Sequence, residues 1–176
     1  MKWLSLLFCS MFGLIQAQTI LTWSYKNPKT HEWKSFGEKG SIQEVLFYSG
    51  ELPDPFYGKN EELYQWIEDY QWEFKAQFYL TEAQFLANSV ELYFSNIDTY
   101  ATIEVNGKWL GNSANFFHPH TFEVKSHLHC GYNEVRVVIT PPILYHKSRY
   151  ESEAFHYPAP NDPSKWKVAP LTRKPQ

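Results

Sequence analysis

Asp54, Glu61, Glu62, Glu68 and Asp69 cluster in sequence near Trp66 and Trp72. A pair of carboxylates beside aromatic rings is the equipment for acid/base hydrolysis of a sugar acetal, one carboxyl giving a proton and the other acting as base or nucleophile. Acidic residues in such a stretch are more often helix-terminal or solvated charges. His118 and His120 alternate, so on a strand they would share a face, and His127 and His129 follow. That spacing could hold a metal ion, but no carboxylate or thiolate clearly completes a ligand set, and ordinary strand-edge or loop histidines are the plainer alternative. Trp33, Trp66, Trp72 and Trp109 are candidates for stacking on a sugar ring. Trp72 belongs to a clean alternating run and Trp66 stands at helical spacing with Leu63 and Ile67, so both favour packing in a core. No residue is assigned to catalysis, to a cofactor or to a metal on these grounds, and the substrate-contacting residues stay unknown.

The elements that would position these groups are mostly strands. From Tyr70 the apolar period is two: Trp72, Phe74, Ala76, Phe78 and Leu80 alternate with Glu73, Lys75, Gln77 and Tyr79, the pattern of a half-buried strand. Val90, Leu92 and Phe94 repeat it, as do Ala101, Ile103 and Val105. Asn106-Gly107 then supplies the two positive-φ positions of a tight hairpin, with Lys108 to Leu110 returning beside it. Phe122 with Val124, and Val135 with Val137 and Ile139, mark two more strands. Gln18 to Tyr25 is a short β-prone opening, followed by a polar, turn-rich stretch to Lys39.

Helices are few. Ser41 and Glu44 form a capping-box pattern before Val45 and Leu46, with Gly50 placed to stop the helix. Asn60 is placed to cap a second short helix carrying Leu63, Trp66 and Ile67, after a Leu52-Pro53-Asp54-Pro55-Phe56 stretch that its prolines hold extended. Ile143 to Ser152 could form one more. Short strands without long intervening helices argue for an all-β fold, an antiparallel sandwich or jelly roll. From Phe155 onward the prolines read as a long irregular connection.

Composition agrees with that class. The chain has 176 residues, about one domain, and 18% of them are aromatic. Aromatic rings pack well against cross-strand neighbours. The formal net charge of -3 leaves no basic stripe for a phosphate backbone, so nucleic acid is not an expected partner. Lys2, the apolar run Trp3 to Ile15 and Ile15-Gln16-Ala17 have the layout of an export leader over residues 1–17, cut after Ala17. The run is short for the roughly 30 Å of hydrocarbon in a membrane. Cys9 lacks the small preceding residues of a lipobox, and after cleavage Cys130 is the sole cysteine, leaving no internal disulfide.

Several runs together resemble the sugar-binding amino-terminal domain of glycoside hydrolase family 2, in particular its β-mannosidases. The most specific is Leu52-Pro53-Asp54-Pro55-Phe56-Tyr57-Gly58-Lys59-Asn60-Glu61, followed by Gln65-Trp66-Ile67 and Trp72-Glu73-Phe74. Asp98-Thr99-Tyr100-Ala101-Thr102 leads to Asn106-Gly107 and Gly111. Asn115-Phe116-Phe117 precedes His120 and Phe122, and Gly131-Tyr132-Asn133-Glu134-Val135 follows. Arg173-Lys174-Pro175-Gln176 is similar to the approach to that family's Trp-Asp-Trp segment. The chain departs at Glu38-Lys39-Gly40-Ser41-Ile42-Gln43, where the family usually has a Val-Pro-Gly…His turn.

The resemblance implies a galactose-binding-like jelly roll on residues 18–176, with its last strands beyond Gln176. It implies that the complete enzyme is a retaining exo-glycosidase releasing terminal β-linked mannose, its two glutamates on a later (β/α)8 barrel. This chain would then be inactive alone, without cofactor, and its partners would be the rest of the hydrolase and carbohydrate. It would be exported to a periplasmic, extracellular or lysosome-like compartment. The alternative class is a stand-alone carbohydrate-binding module or lectin on the same scaffold, and surface adhesion is a third use of jelly rolls.

Overall fold

A computed structural model describes residues 4–9, 17–37 and 40–155. The expected Pro-rich connection from 156 onward and the turn at Glu38-Lys39 lie outside them. Ten strands run through the described chain: β1 Leu4–Cys9, β2 Ala17–Ile20, β3 Trp23–Lys26, β4 Trp33–Ser35, β5 Trp72–Leu80, β6 Ser89–Phe94, β7 Tyr100–Val105, β8 Lys108–Ser113, β9 His120–Glu123 and β10 Gly131–Thr140. They form two antiparallel sheets, one ordered β2-β1-β6-β9 and the other β4-β3-β5-β10-β7-β8. The all-β sandwich expected from the alternation is therefore the fold.

The long strands obey their sequence period. In β5 the even-numbered residues from Trp72 to Leu80 are all buried and the odd ones are not. Val90, Leu92 and Phe94 do the same on the opposing sheet, and Ile103, Val105, Val135 and Val137 complete the core between them. Each of these buried side chains contributes on the order of 1.5–3 kcal/mol relative to exposure. Outward residues of the larger sheet carry charge. Arg136 reaches Glu73 at 2.8 Å and Glu104 at 2.8 Å across three adjacent strands, and Lys26 adds a contact to Glu73 at 3.5 Å. Burial pushes the Glu73 carboxyl up, but the Arg136 and Lys26 cations outweigh it and hold the group below its ordinary value.

The turns follow the predicted chemistry. Asn106 and Gly107 have φ of 50° and 73°, which a two-residue hairpin of this hand requires. Asn106 also ties that hairpin to the loop before β10: its amide donates to the His127 carbonyl and to Asn133 Oδ1, both at 2.8 Å. Asn133, buried, accepts from the His129 amide at 3.0 Å and donates to the carbonyls of His129 and Gly131.

Helix α1, Ile42–Tyr48, has the expected capping box between Ser41 and Glu44, and Gly50 sits at φ 74° just past its end. Residues Asn60–Asp69 wind as a 3₁₀ helix whose N-cap is Lys59. Asn60 was expected to cap it; its side chain is instead committed to the Asp54 carbonyl at 2.8 Å. The remaining helices of the described residues are α2, Glu82–Phe85, opened by Thr81 and Gln84 as a capping box not expected from the sequence, α3, Pro142–Ser152, and a one-turn 3₁₀ helix, Lys125–His127.

Two further expectations are corrected and a third is made specific. Trp33–Ser35 is not part of a turn-rich stretch but pairs as β4 with β3, between two turns too close together to show a period. The β-prone opening comprises two strands: β2 and β3 belong to different sheets, and the chain crosses between them at Leu21 and Thr22. The strand expected at Phe122 and Val124 ends at Glu123, and Val124 instead bonds to the Val90 carbonyl.

Candidate functional site

The connecting elements gather at one end of the sandwich, where β5 starts and β10 finishes. Helix α1, the 3₁₀ helix, the β6–β7 loop and the start of α3 enclose a cleft of about 470 Å³ there. Its floor is apolar, with Phe36, Ile67, Trp72 and Phe74 from the core and Ile42 and Ile139 beside them. Gln43, Gln65, Asn96, Glu61, Glu68 and Asp98 supply amides and carboxylates around it. An apolar floor with hydrogen-bonding groups at its margin is how small polar ligands are usually held.

Trp72 fixes the floor. Its indole N–H donates to the Ile67 carbonyl at 2.9 Å, which ties β5 to the 3₁₀ helix, and its ring lies 5.6 Å from Trp66 and 6.1 Å from Tyr25. Tyr64, on the same helix, donates to the Pro53 carbonyl at 2.6 Å. Asp54 holds the preceding loop, accepting from the Phe56 amide at 2.9 Å through its side chain. Phe56 and Tyr57 are consequently presented to solvent, 96% and 78% exposed, on a loop whose backbone is tied down.

The acidic cluster of the sequence divides accordingly. Glu61 and Glu68 reach the cleft, Asp54 is a loop-forming residue, and Glu62 and Asp69 do not line it. Asp98 lines the cleft from the β6–β7 loop, and neither it nor Asn96 or Gln43 had been singled out as a site residue. Only spatial closure of segments far apart in sequence brings these groups together.

The most heavily bonded carboxylate lies elsewhere. Glu51 accepts from Tyr25 at 3.0 Å, Asn27 at 3.2 Å and Ser49 at 3.1 Å, and pairs with Lys34 at 3.0 Å. Burial pushes this carboxyl up, and those donors together hold it below its ordinary value. Burial first, then Glu51, raises the Tyr25 hydroxyl well above its ordinary value. A carboxylate with its acceptor sites filled by the protein joins β3, β4 and the end of α1 and has no lone pair left for a base's work.

The histidines are dispersed. His120 on β9 lies 3.0 Å from Ser113 Oγ and 2.9 Å from the Asn115 carbonyl, whereas His118 is exposed in the turn before it. His127 is in a separate short 3₁₀ turn and His129 in the loop beyond. Among the described residues no three His, Cys, Asp or Glu side chains come together as a metal site. Of the tryptophans, Trp72 is buried, Trp66 carries the Lys29 ammonium 3.7 Å over its ring, and Trp33 carries Lys75 at 4.1 Å. Trp109, at the β7–β8 hairpin, is 63% exposed.

The far wall is held by a buried contact. Tyr100 Oη lies 2.6 Å from His146 Nε2, and the Tyr100 and Tyr145 rings stack at 3.8 Å, which docks α3 on β7. Burial, with Arg149 second, lowers the His146 pKa, so the neutral ring is the folded form. Because the folded pKa lies below the unfolded value of about 6.5, this group's stability is complete above that pH. It is lost as pH falls from there through the folded pKa. We expect the melting temperature to fall between pH 7 and 5 less steeply in His146→Phe than in the unaltered chain. Parallel slopes by circular dichroism would contradict it.

Two antiparallel sheets packed face to face, with an end cleft made by the inter-strand connections, place the molecule among galactose-binding-like β-sandwiches. Residues 23–176 match the family described as glycosyl hydrolase 2, galactose-binding domain-like. The chain belongs to this family. It is 40% identical over 99 residues to β-mannosidase B of Thermothelomyces thermophilus, covering 56% of this chain and 12% of that protein. It is 29% identical over 124 residues to the β-mannosidase of Capra hircus, covering 70% of this chain and 14% of the other. Among solved structures, the β-D-mannosidase of Dictyoglomus thermophilum superposes with a TM-score of 0.74 at 30% identity, over 80% of this chain and 17% of that one. The chain thus spans 12–14% of the length of these two curated relatives.

Proposed function

We propose that this chain is the amino-terminal, non-catalytic sandwich of an exported β-mannosidase-like hydrolase, acting in carbohydrate breakdown as scaffold and pocket wall. The observation that carries the proposal is the pairing of a family match over residues 23–176 with coverage of only 12–14% of those curated β-mannosidases. The remainder of such a protein would supply the chemistry: release of terminal β-linked mannose by a retaining route, with two carboxyls about 5–5.5 Å apart. The partners in this reading are that remainder and carbohydrate, and the compartment is periplasmic, extracellular or lysosome-like after loss of residues 1–17.

The end cleft supports a pocket-wall role. Its carboxylates Glu61, Glu68 and Asp98 and amides Gln43, Gln65 and Asn96 surround an apolar floor and can hydrogen-bond a saccharide. The exposed Phe56–Tyr57 loop leads into the 3₁₀ helix on which α3 also packs.

The experiment is to read the transcript across and beyond codon 176. A frame that runs on into a Trp-Asp-Trp segment and a barrel-length sequence is the expected result. A stop followed by unrelated sequence would transfer the proposal to a self-standing carbohydrate-binding module.

A further inference from the structure

Asn106-Gly107 is the single Asn-Gly pair of the sequence. Asparagine is chemically labile, and most so before glycine, whose amide nitrogen no side chain shields. That nitrogen can attack the Asn carboxamide carbon. The N–Cγ bond forms and the Cγ–Nδ2 bond breaks. The proton of the Gly N–H passes through water to the departing nitrogen, which leaves as ammonia. Water then opens the five-membered imide at either carbonyl, giving aspartate or isoaspartate with one added negative charge. Ring closure requires the carboxamide to turn back onto the following peptide, with Nδ2 free to leave.

Burial does not prevent this reaction, because Gly107 is exposed and Asn106 only half-buried. The hydrogen bonds do. Nδ2 of Asn106 donates to the His127 carbonyl and to Asn133 Oδ1, and its Oδ1 accepts from the Glu134 N–H at 2.9 Å. The Asn106 N–H also donates to the Glu134 carbonyl at 2.9 Å, so one residue of β10 holds both backbone and side chain. Asn133 anchors the far end of the network from a buried position. For Cγ to swing toward the Gly107 nitrogen, three side-chain bonds must break together, one of them to a buried partner.

We propose that Asn106 is a deamidation site held silent by its bonds to Asn133, His127 and Glu134. Ring closure proceeds from the opened network or the unfolded chain, and not from the closed fold. The product cannot re-enter the network. An aspartate at this position brings a carboxylate without an N–H against the His127 carbonyl and Asn133 Oδ1, which are both acceptors. An isoaspartate adds a backbone atom to a two-residue turn whose flanking residues, Val105 and Lys108, are paired. Deamidation is therefore a one-way mark on chains that open this turn or fail to close it. The inference rests on this network and is independent of the hydrolase reading.

The test incubates the full 176-residue chain in mildly alkaline buffer, folded and in urea above its unfolding midpoint. Peptide mapping with isoaspartate detection follows Asn106 in both. The folded chain should react at least about tenfold more slowly, since its network must first open. Urea below the midpoint should raise the rate in step with the opened fraction. Asn133→Ala, compared where circular dichroism shows it folded, should react at least about tenfold faster than the unaltered folded chain. Trp72→Ala removes a buried side chain far along the sheet, where β5 pairs with Ile139, and should leave the rate near that of the unaltered chain. Equal rates in folded and unfolded chain would overturn the proposal. So would folded Asn133→Ala reacting no faster than Trp72→Ala.

Discussion

Trp72→Ala should destabilise the domain by about 3–5 kcal/mol, the cost of truncating a buried indole when its surroundings relax only in part. Trp72 is 4% exposed, packs on Trp66 and Tyr25, and holds the 3₁₀ helix through the Ile67 carbonyl. Its loss removes the floor of the end cleft and leaves a buried carbonyl without its donor. Urea denaturation followed by circular dichroism measures the effect. Trp33→Ala is the control: Trp33 lies on the outer face under Lys75 and should cost about 1 kcal/mol or less. Equal losses for the two would contradict the assignment of Trp72 as the anchor between sheet and cleft.

Asn133→Leu is the second large effect, about 2–4 kcal/mol, although it inserts an apolar residue at a buried position. Asn133 is 2% exposed, and its amide satisfies the His129 amide, two carbonyls and Asn106 together. A leucine offers neither donor nor acceptor, so the His129 amide and the two carbonyls lose this partner, and the Asn106 amide keeps only its bond to the His127 carbonyl. Because Asn106 and Asn133 share one network, Asn106→Ala and Asn133→Leu should be non-additive in a double-mutant cycle, the pair costing less than the sum. Strict additivity would show that the two turns are energetically separate.

How much of this was legible in the sequence depended on the range over which each signal acts. The Trp72–Leu80 alternation, the Ser41–Glu44 box and the Asn106–Gly107 turn are local patterns, and each folds as its residues dictate. Strand β4 has three residues and carries too few positions to display a period. The pairing of Leu4–Cys9 was hidden because a short apolar run reads equally as an interior strand or as an export leader. The cleft was the least legible feature. Glu61 and Glu68 stood out for their place beside Trp66, whereas Asp98, Asn96 and Gln43 join them only through the folding of distant loops. The histidine spacing misled because His118 and His120 do not lie on one strand: His120 opens β9 and His118 is in the turn before it.

The function proposed above is that of a domain without hydrolytic chemistry of its own, serving a longer enzyme. Its most direct test is to incubate the purified, folded chain with an aryl β-mannoside across pH 4 to 8 and measure release of the aryl alcohol. The account predicts a rate no different from buffer, unchanged by Glu61→Gln or Glu68→Gln. Turnover above buffer that either substitution abolishes would contradict it, and would make the end cleft an active site.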